Sequence, residues 1–134
     1  MILIDLNVLL DVIQKREPHY HSSALVINRV LKGPTKSYLP AHAVTTLHYL
    51  IDKYQNAGKA NEVVHWLLNT FNIAPVTHET LATAHLLGWQ DYEDAVVSIA
   101  AFQTGCTTIV TRNIKDFRSS TVPALTPDEF LMTH

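Results

Sequence analysis

Residues 91–117 read DYEDAVVSIAAFQTGCTTIVTRNIKDF, and the order of patterns inside this stretch decides the fold. Asp91 opens a helix that runs through Phe102 and ends near Gly105. Residues 95–102 are apolar nearly all round the helix, which requires burial on several sides. Residues 108–110 then form a short β-branched strand, followed by the polar run Thr111 to Phe117. A buried helix delivering the chain into a buried strand is half of a crossover unit. Such units build a parallel sheet with helices on both faces.

Outward from that stretch the same alternation repeats. Residues 1–4, 37–39, 73–76 and 124–125 are the remaining short strand candidates. Val44, Leu47, Ile51 and Tyr54 lie on one stripe of a helix that starts after Pro40, and Val64, Leu67, Leu68 and Phe71 on a second, set off by Asn56-Ala57-Gly58. Leu81, Ala84 and Leu87 continue the helical period up to Gly88, a fitting C′ residue. Pro18 separates two helices within residues 15–21. Thr126 as N-cap, Pro127 at N1 and Glu129 at N3 form a capping box ahead of the last helix. The expected architecture is a three-layer α/β domain covering residues 1–134, with a central parallel sheet of about five short strands.

The composition agrees with one domain. A chain of 134 residues with 47% apolar residues buries a full core without staples, and the single Cys106 excludes a disulfide framework and CxxC sites. At the end of a helix after a glycine, Cys106 reads as a buried structural thiol. Twelve acids against ten bases give a net charge of −2, which excludes nucleic-acid binding driven by bulk charge and leaves only local contacts. Charged residues are only 16% of the chain, and a charge-poor surface implies a face covered by a partner. The start of the chain lacks a signal-peptide pattern and no apolar run is long enough for a bilayer, so the expectation is a cytoplasmic protein without membrane contact.

In an open parallel sheet, function sits at the carboxyl ends of the strands. Acids gather there. Asp5 ends the first strand with Asn7 two residues on; Asp91, Glu93 and Asp94 open the buried helix at the same edge; Asp116 follows the fourth strand with Asn113. Asp91 and Asp94 share one face of the first turn, with Ser98 a turn further. Asp5 and Asp91 are also plausible N-caps, and Asp11 reads as an exposed helical partner of Lys15. Carboxylates that share a cleft repel one another unless a cation joins them, and an all-oxygen set suits Mg²⁺ or Mn²⁺. Such ions support phosphodiester hydrolysis. Arg112, Lys115 and Arg118 lie beside the acids and suit the phosphates of an RNA.

Residues 2–11, ILIDLNVLLD, resemble the opening of a PIN domain, and DYEDA at 91–95 with TRNIKDF at 111–117 resemble its closing half. The resemblance spans essentially the whole chain and points to the stand-alone VapC-type toxins. It implies a Mg²⁺- or Mn²⁺-dependent endoribonuclease, commonly a homodimer, held by an antitoxin protein. It also implies that Asp5, Asp94 and Asp116 are catalytic metal ligands, with Asn7, Asn113 and Asp91 in adjoining polar positions. Family members usually carry an acid on the helix after the second strand. That position falls at Thr46, and no Asp or Glu occurs between Glu17 and Asp52. Asp52 is about 9 Å further along the axis and on another face. His42, one turn before Thr46, is placed to reach the crevice.

Other chemistries fail on spacing. His78-Glu79 is followed by Ala82 where a zinc-binding helix needs its second histidine, and the eight histidines otherwise read as surface residues. Four scattered glycines make no phosphate-binding loop. A receiver domain lacks its acid after the third strand, and a haloacid-type phosphatase lacks its second Asp because Asn7 stands there. The remaining alternative is a PIN fold weakened in catalysis at Thr46 that serves as an RNA- or protein-binding module.

Overall fold

The computed structural model describes residues 1–134. Alternation along β1 (Ile2–Ile4) divides the interior into two cores, since successive strand side chains point to opposite faces. Ile2 and Ile4 join Val8, Leu9 and Val26 on one side, while Leu3 joins Val97, Ala100 and Ile109 on the other. The elements that follow are α1 (Leu6–Ile13), α2 (Tyr20–Lys32), β2 (Ser37–Pro40), α3 (Ala41–Tyr54), α4 (Ala57–Thr70), β3 (Asn72–Ala74), α5 (His78–Leu86), α6 (Tyr92–Thr104), β4 (Thr108–Val110), a 3₁₀ turn (Ile114–Phe117), β5 (Ala124–Leu125) and α7 (Pro127–Thr133).

The five strands pair in the order β3-β2-β1-β4-β5, all parallel. This is the expected three-layer α/β architecture. The chain leaves central β1 toward β2 on one side and returns to β4 on the other, so the strand order reverses between β1 and β4. A crevice opens at such a reversal. The register places Ile4 opposite Val110, which sets Asp5 beside Thr111 at the mouth of that crevice. Because α6 runs antiparallel to the strand it feeds, its N-terminus lies at the same edge.

Several local expectations hold in detail. Thr126 accepts from the Glu129 N–H while Glu129 reaches back to Thr126. Gly88 and Gly105 take the positive φ values of 67° and 88° that end α5 and α6. Cys106 is buried, and burial pushes its thiol pKa up. Other expectations need correction. β3 starts at Asn72 and ends at Ala74, because Pro75 has no N–H to extend the ladder. On α4 the inward residues are Ala60, Val63 and Leu67, whereas Leu68 is exposed. The neighbouring pairs Val63-Val64 and Leu67-Leu68 fit a helical period equally well, and packing against α3 selects the first of each. Tyr54, Leu81 and Leu87 are also exposed.

Candidate metal centre at the strand ends

Asp5 is the N-cap of α1 and accepts the Leu6 N–H at 2.7 Å. Its second oxygen accepts the hydroxyl of Thr111 at 2.8 Å and, at a longer 3.4 Å, the side-chain amide of Asn7. The residue is buried. Burial raises its pKa, the Thr111 and Leu6 hydrogen bonds oppose that rise, and the charges of Glu93 and Asp91 add to it.

Asp91 caps α6 by accepting the Asp94 N–H at 3.1 Å, so one side chain serves both the helix end and the crevice. Asp91, Asp94 and Asp116 bring one carboxylate oxygen each to within 4.8 Å of one another. Asp94 is only 7% exposed, and its Oδ2 is buried with no hydrogen-bond partner. A buried acceptor without a donor is costly. Burial, then the charges of Asp5, Asp91 and Asp116 and the Asp91 hydrogen bond, push the Asp94 pKa up to about 8. A divalent ion fits this orphaned, all-carboxylate donor set, because it supplies the positive charge that the cluster lacks.

The structure therefore regroups the acids. Asp91, read from sequence as an adjoining polar position, stands inside the close cluster, whereas Asp5 lies outside it and acts on Asp94 through its charge. Asn113 caps the 3₁₀ turn that presents Asp116, and its N–H donates to Thr111 at 3.0 Å. Ser98 is bound instead to Ser120, Oγ to Oγ at 2.7 Å. Thr46 is half-buried on α3, one turn beyond His42. His42 does reach α6: its Nε2 is 3.8 Å from Glu93 Oε1, its Nδ1 is buried without a partner, and burial lowers its pKa against the pull of Glu93. His19, His21, His65, His78, His85 and His134 are exposed, as expected for surface histidines.

The three bases part company. Lys115 and Arg118 line a cavity of about 230 Å³ together with Asp91 and Asp116, so they flank the acids. Arg112 turns to the other side of β4, where its Nε donates to Asp11 Oδ2 at 2.7 Å. Asp11 is fully buried and also accepts from Ser23 at 3.0 Å. The exposed Asp11 to Lys15 pair expected from sequence is thus wrong: α1 presents Asp11 inward, and a buried carboxylate needs a cation more than an exposed one does. Asn7 bridges the two sides, donating toward Asp5 and Thr111 while its Oδ1 accepts the Arg112 N–H at 3.2 Å. Sequence reasoning missed Thr111 and the Asp11 to Arg112 pair. The parallel register signals the first; nothing local signals the second.

Comparison with known proteins places this geometry. The family model of the PIN domain matches residues 1–115, a span that includes Asp5, Asp91 and Asp94 and ends one residue before Asp116. No curated protein matches the chain by sequence. Among solved structures, a toxin-antitoxin complex from Klebsiella pneumoniae superimposes with a TM-score of 0.71 at 19% identity, covering 95% of this chain and 98% of that one. FitAcB from Neisseria gonorrhoeae gives 0.71 at 23% identity, over 95% and 98% of the two chains. VapC20 from Mycobacterium tuberculosis, a sarcin-ricin loop cleaving toxin, gives 0.67 at 12% identity, over 81% and 87%. At these identities the likeness is one of fold.

Proposed function

Since this chain belongs to the PIN-domain family, we propose that it is a divalent-metal-dependent endoribonuclease and the toxin of a toxin–antitoxin pair. The observation that carries the reading is Asp94: a buried carboxylate with an unpartnered oxygen, set among acids and beside two free bases. Asp91, Asp94 and Asp116 would hold Mg²⁺ or Mn²⁺. When bound, such an ion lowers the pKa of water and neutralises charge on a phosphodiester.

The chain's own residues supply the rest. Thr111 and the Leu6 N–H fix both oxygens of Asp5, which keeps that carboxylate aimed at the crevice as a catalytic acid of the site. Asn7 and Asn113 brace Thr111, so the β4 end cannot drift from the β1 end. Lys115 and Arg118 bind RNA phosphates on either side of the scissile bond. Arg112 supports the RNA site by anchoring the loop from which Lys115 springs.

Partners follow from the same reading. Toxin-antitoxin complexes among the structural neighbours support an antitoxin partner. The apolar residues Leu81, Leu86, Tyr92 and Phe102, exposed on the packed pair α5 and α6, supply a surface for the homodimer. No helix is long and apolar enough to cross a membrane; a cytoplasmic location is part of the proposal.

The test is cleavage of a labelled RNA mixture with and without Mn²⁺, using Asp94→Asn as control. Cleavage that requires both the ion and Asp94 supports the enzyme. RNA binding without cleavage under every metal condition would select the binding-module reading that Thr46 invites.

A further inference from the structure

The exposed aromatic residues of the chain divide by the company they keep. Tyr92 and Phe102 stand with Leu81 and Leu86 on α5 and α6, an apolar face that suits a protein. Tyr49, 59% exposed, and Tyr54, 67% exposed, stand instead on α3 with Lys53, whose Nζ lies 5.7 Å and 5.3 Å from their ring centroids. A lysine one turn from a tyrosine folds over its ring on many helices, and that alone assigns no partner. Here one cation is shared between two rings, and no acid claims it: the bases that meet a carboxylate are His42, beside Glu93, and Arg112, beside Asp11. Tyr54 also leaves the core, since it follows buried Leu47 and Ile51 along their stripe yet projects into solvent.

Position ties this patch to the crevice. Tyr49 and Lys53 follow His42 by seven and eleven residues, so the three fall within about 20° of one line along α3, with Tyr49 about 10 Å and Lys53 about 16 Å beyond His42. His42 itself looks across the crevice at Glu93, 3.8 Å away. β2, which delivers α3, and β4, which delivers Lys115 and Arg118, flank β1 on opposite sides. Resting on the proposed nuclease reading, we infer that Tyr49, Lys53 and Tyr54 form a stacking platform for unpaired bases of the RNA substrate, on the α3 side of the crevice and beyond the phosphates held by Lys115 and Arg118. An aromatic face stacks on any base, and a lysine between two such faces meets the backbone that joins the bases. Lysine at the centre also sets the patch apart from a protein interface, whose core is depleted in that residue. The arrangement is the local contact that a chain of net charge −2 needs in order to hold RNA.

The experiment is fluorescence anisotropy of a labelled single-stranded RNA of about 12 nucleotides, and of the same RNA annealed to its complement, with the full chain in EDTA and in Ca²⁺. Tyr49→Ala is expected to weaken single-strand binding by about 10-fold and Tyr54→Ala by a similar factor, while Tyr49→Phe, which keeps the ring, binds as wild type. Lys53→Ala should lower the salt dependence by about 0.7 unit. Duplex binding should not respond to Tyr49→Ala. If the Tyr49, Tyr54 and Lys53 variants all bind as wild type while Lys115→Ala binds more weakly, the platform falls and the nuclease reading stands. Equal losses on single strand and duplex, or a Tyr49→Phe as weak as Tyr49→Ala, overturn stacking. If Tyr49→Ala leaves RNA binding intact but changes the sedimentation of the free chain, the face is an interface between copies and the inference is overturned. Wild type that binds no RNA under either condition overturns both the platform and the nuclease. Melting curves of each variant at wild-type temperature exclude misfolding as the cause.

Discussion

Asp11 and Asp94 are the same residue type, both out of water, on opposite sides of the end of β4, and the chain treats them differently. Each keeps one buried oxygen without a hydrogen-bond partner, but Asp11 has its counter-charge built in: Arg112 at 2.7 Å and the Ser23 hydroxyl at 3.0 Å meet its other oxygen. Asp94 has no cation beside it, only three carboxylates for company and a pKa pushed up to about 8. The difference teaches how to separate structural from functional burial. A buried acid whose charge is met in cis fits the scaffold, whereas one crowded by neighbours of its own sign calls for a counter-charge, whether a proton or a cation.

Breaking the completed side should cost most. Arg112→Ala leaves Asp11 buried without a cation, and the expected loss of stability is about 3–5 kcal/mol, read by urea unfolding. An effect under about 1 kcal/mol would make the pair an ornament of the surface and dissolve the contrast. The incomplete side should respond to the missing charge instead. Mn²⁺ at 100 times its dissociation constant is expected to stabilise the fold by about 2.7 kcal/mol, seen as a rise in melting temperature that Asp94→Asn blunts.

A proton is the other charge that Asp94 accepts. Its pKa rises from 3.8 in the unfolded chain to about 8 in the fold, so the folded state holds a proton that the unfolded state has released. The stabilisation is complete below pH 4 and is lost as pH rises through 8, with a slope of up to about 1.4 kcal/mol per pH unit between those limits. Denaturant titrations of the metal-free chain across pH 5–9 should show this decline, and Asp94→Asn should flatten it and leave the apo protein more stable at pH 9. Equal slopes for the two proteins would remove Asp94 from the account.

The smallest effect concerns RNA. Lys115→Ala and Arg118→Ala should each lower the salt dependence of binding by about one unit, because each removes a phosphate contact. Arg112→Lys, whose positive charge is already engaged by Asp11, should leave the slope unchanged.

The fold was legible because its signals are local. The burial of residues 95–98, 100 and 101, the capping box at Thr126 and the glycines at 88 and 105 each act within one element, and the structure matches them, although Phe102 at the end of the apolar run is exposed. Acids at strand ends were legible too, since parallel topology sends all such residues to one edge. What sequence could not resolve is side-chain direction at that edge. Arg112 and Lys115 are three residues apart yet serve opposite sides of β4, and Asp11 finds its partner 101 positions away. Asp5 and Asp91 change weight for the same reason: a cap and a cluster member look alike until the turn that holds them is seen.

Central β1 has one more consequence, and it concerns synthesis. Its first neighbour, β2, begins at Ser37, but its second, β4, begins only at Thr108, and Asp116 comes later still. A growing chain folds from its N-terminal end, so one edge of β1 stays open until most of the protein has been made. During that interval Asp5 has no Thr111 to hold it and Asp94 has no Asp116 beside it. The crevice cannot be assembled on a partial chain, and any truncated product ending before residue 116 is born without it.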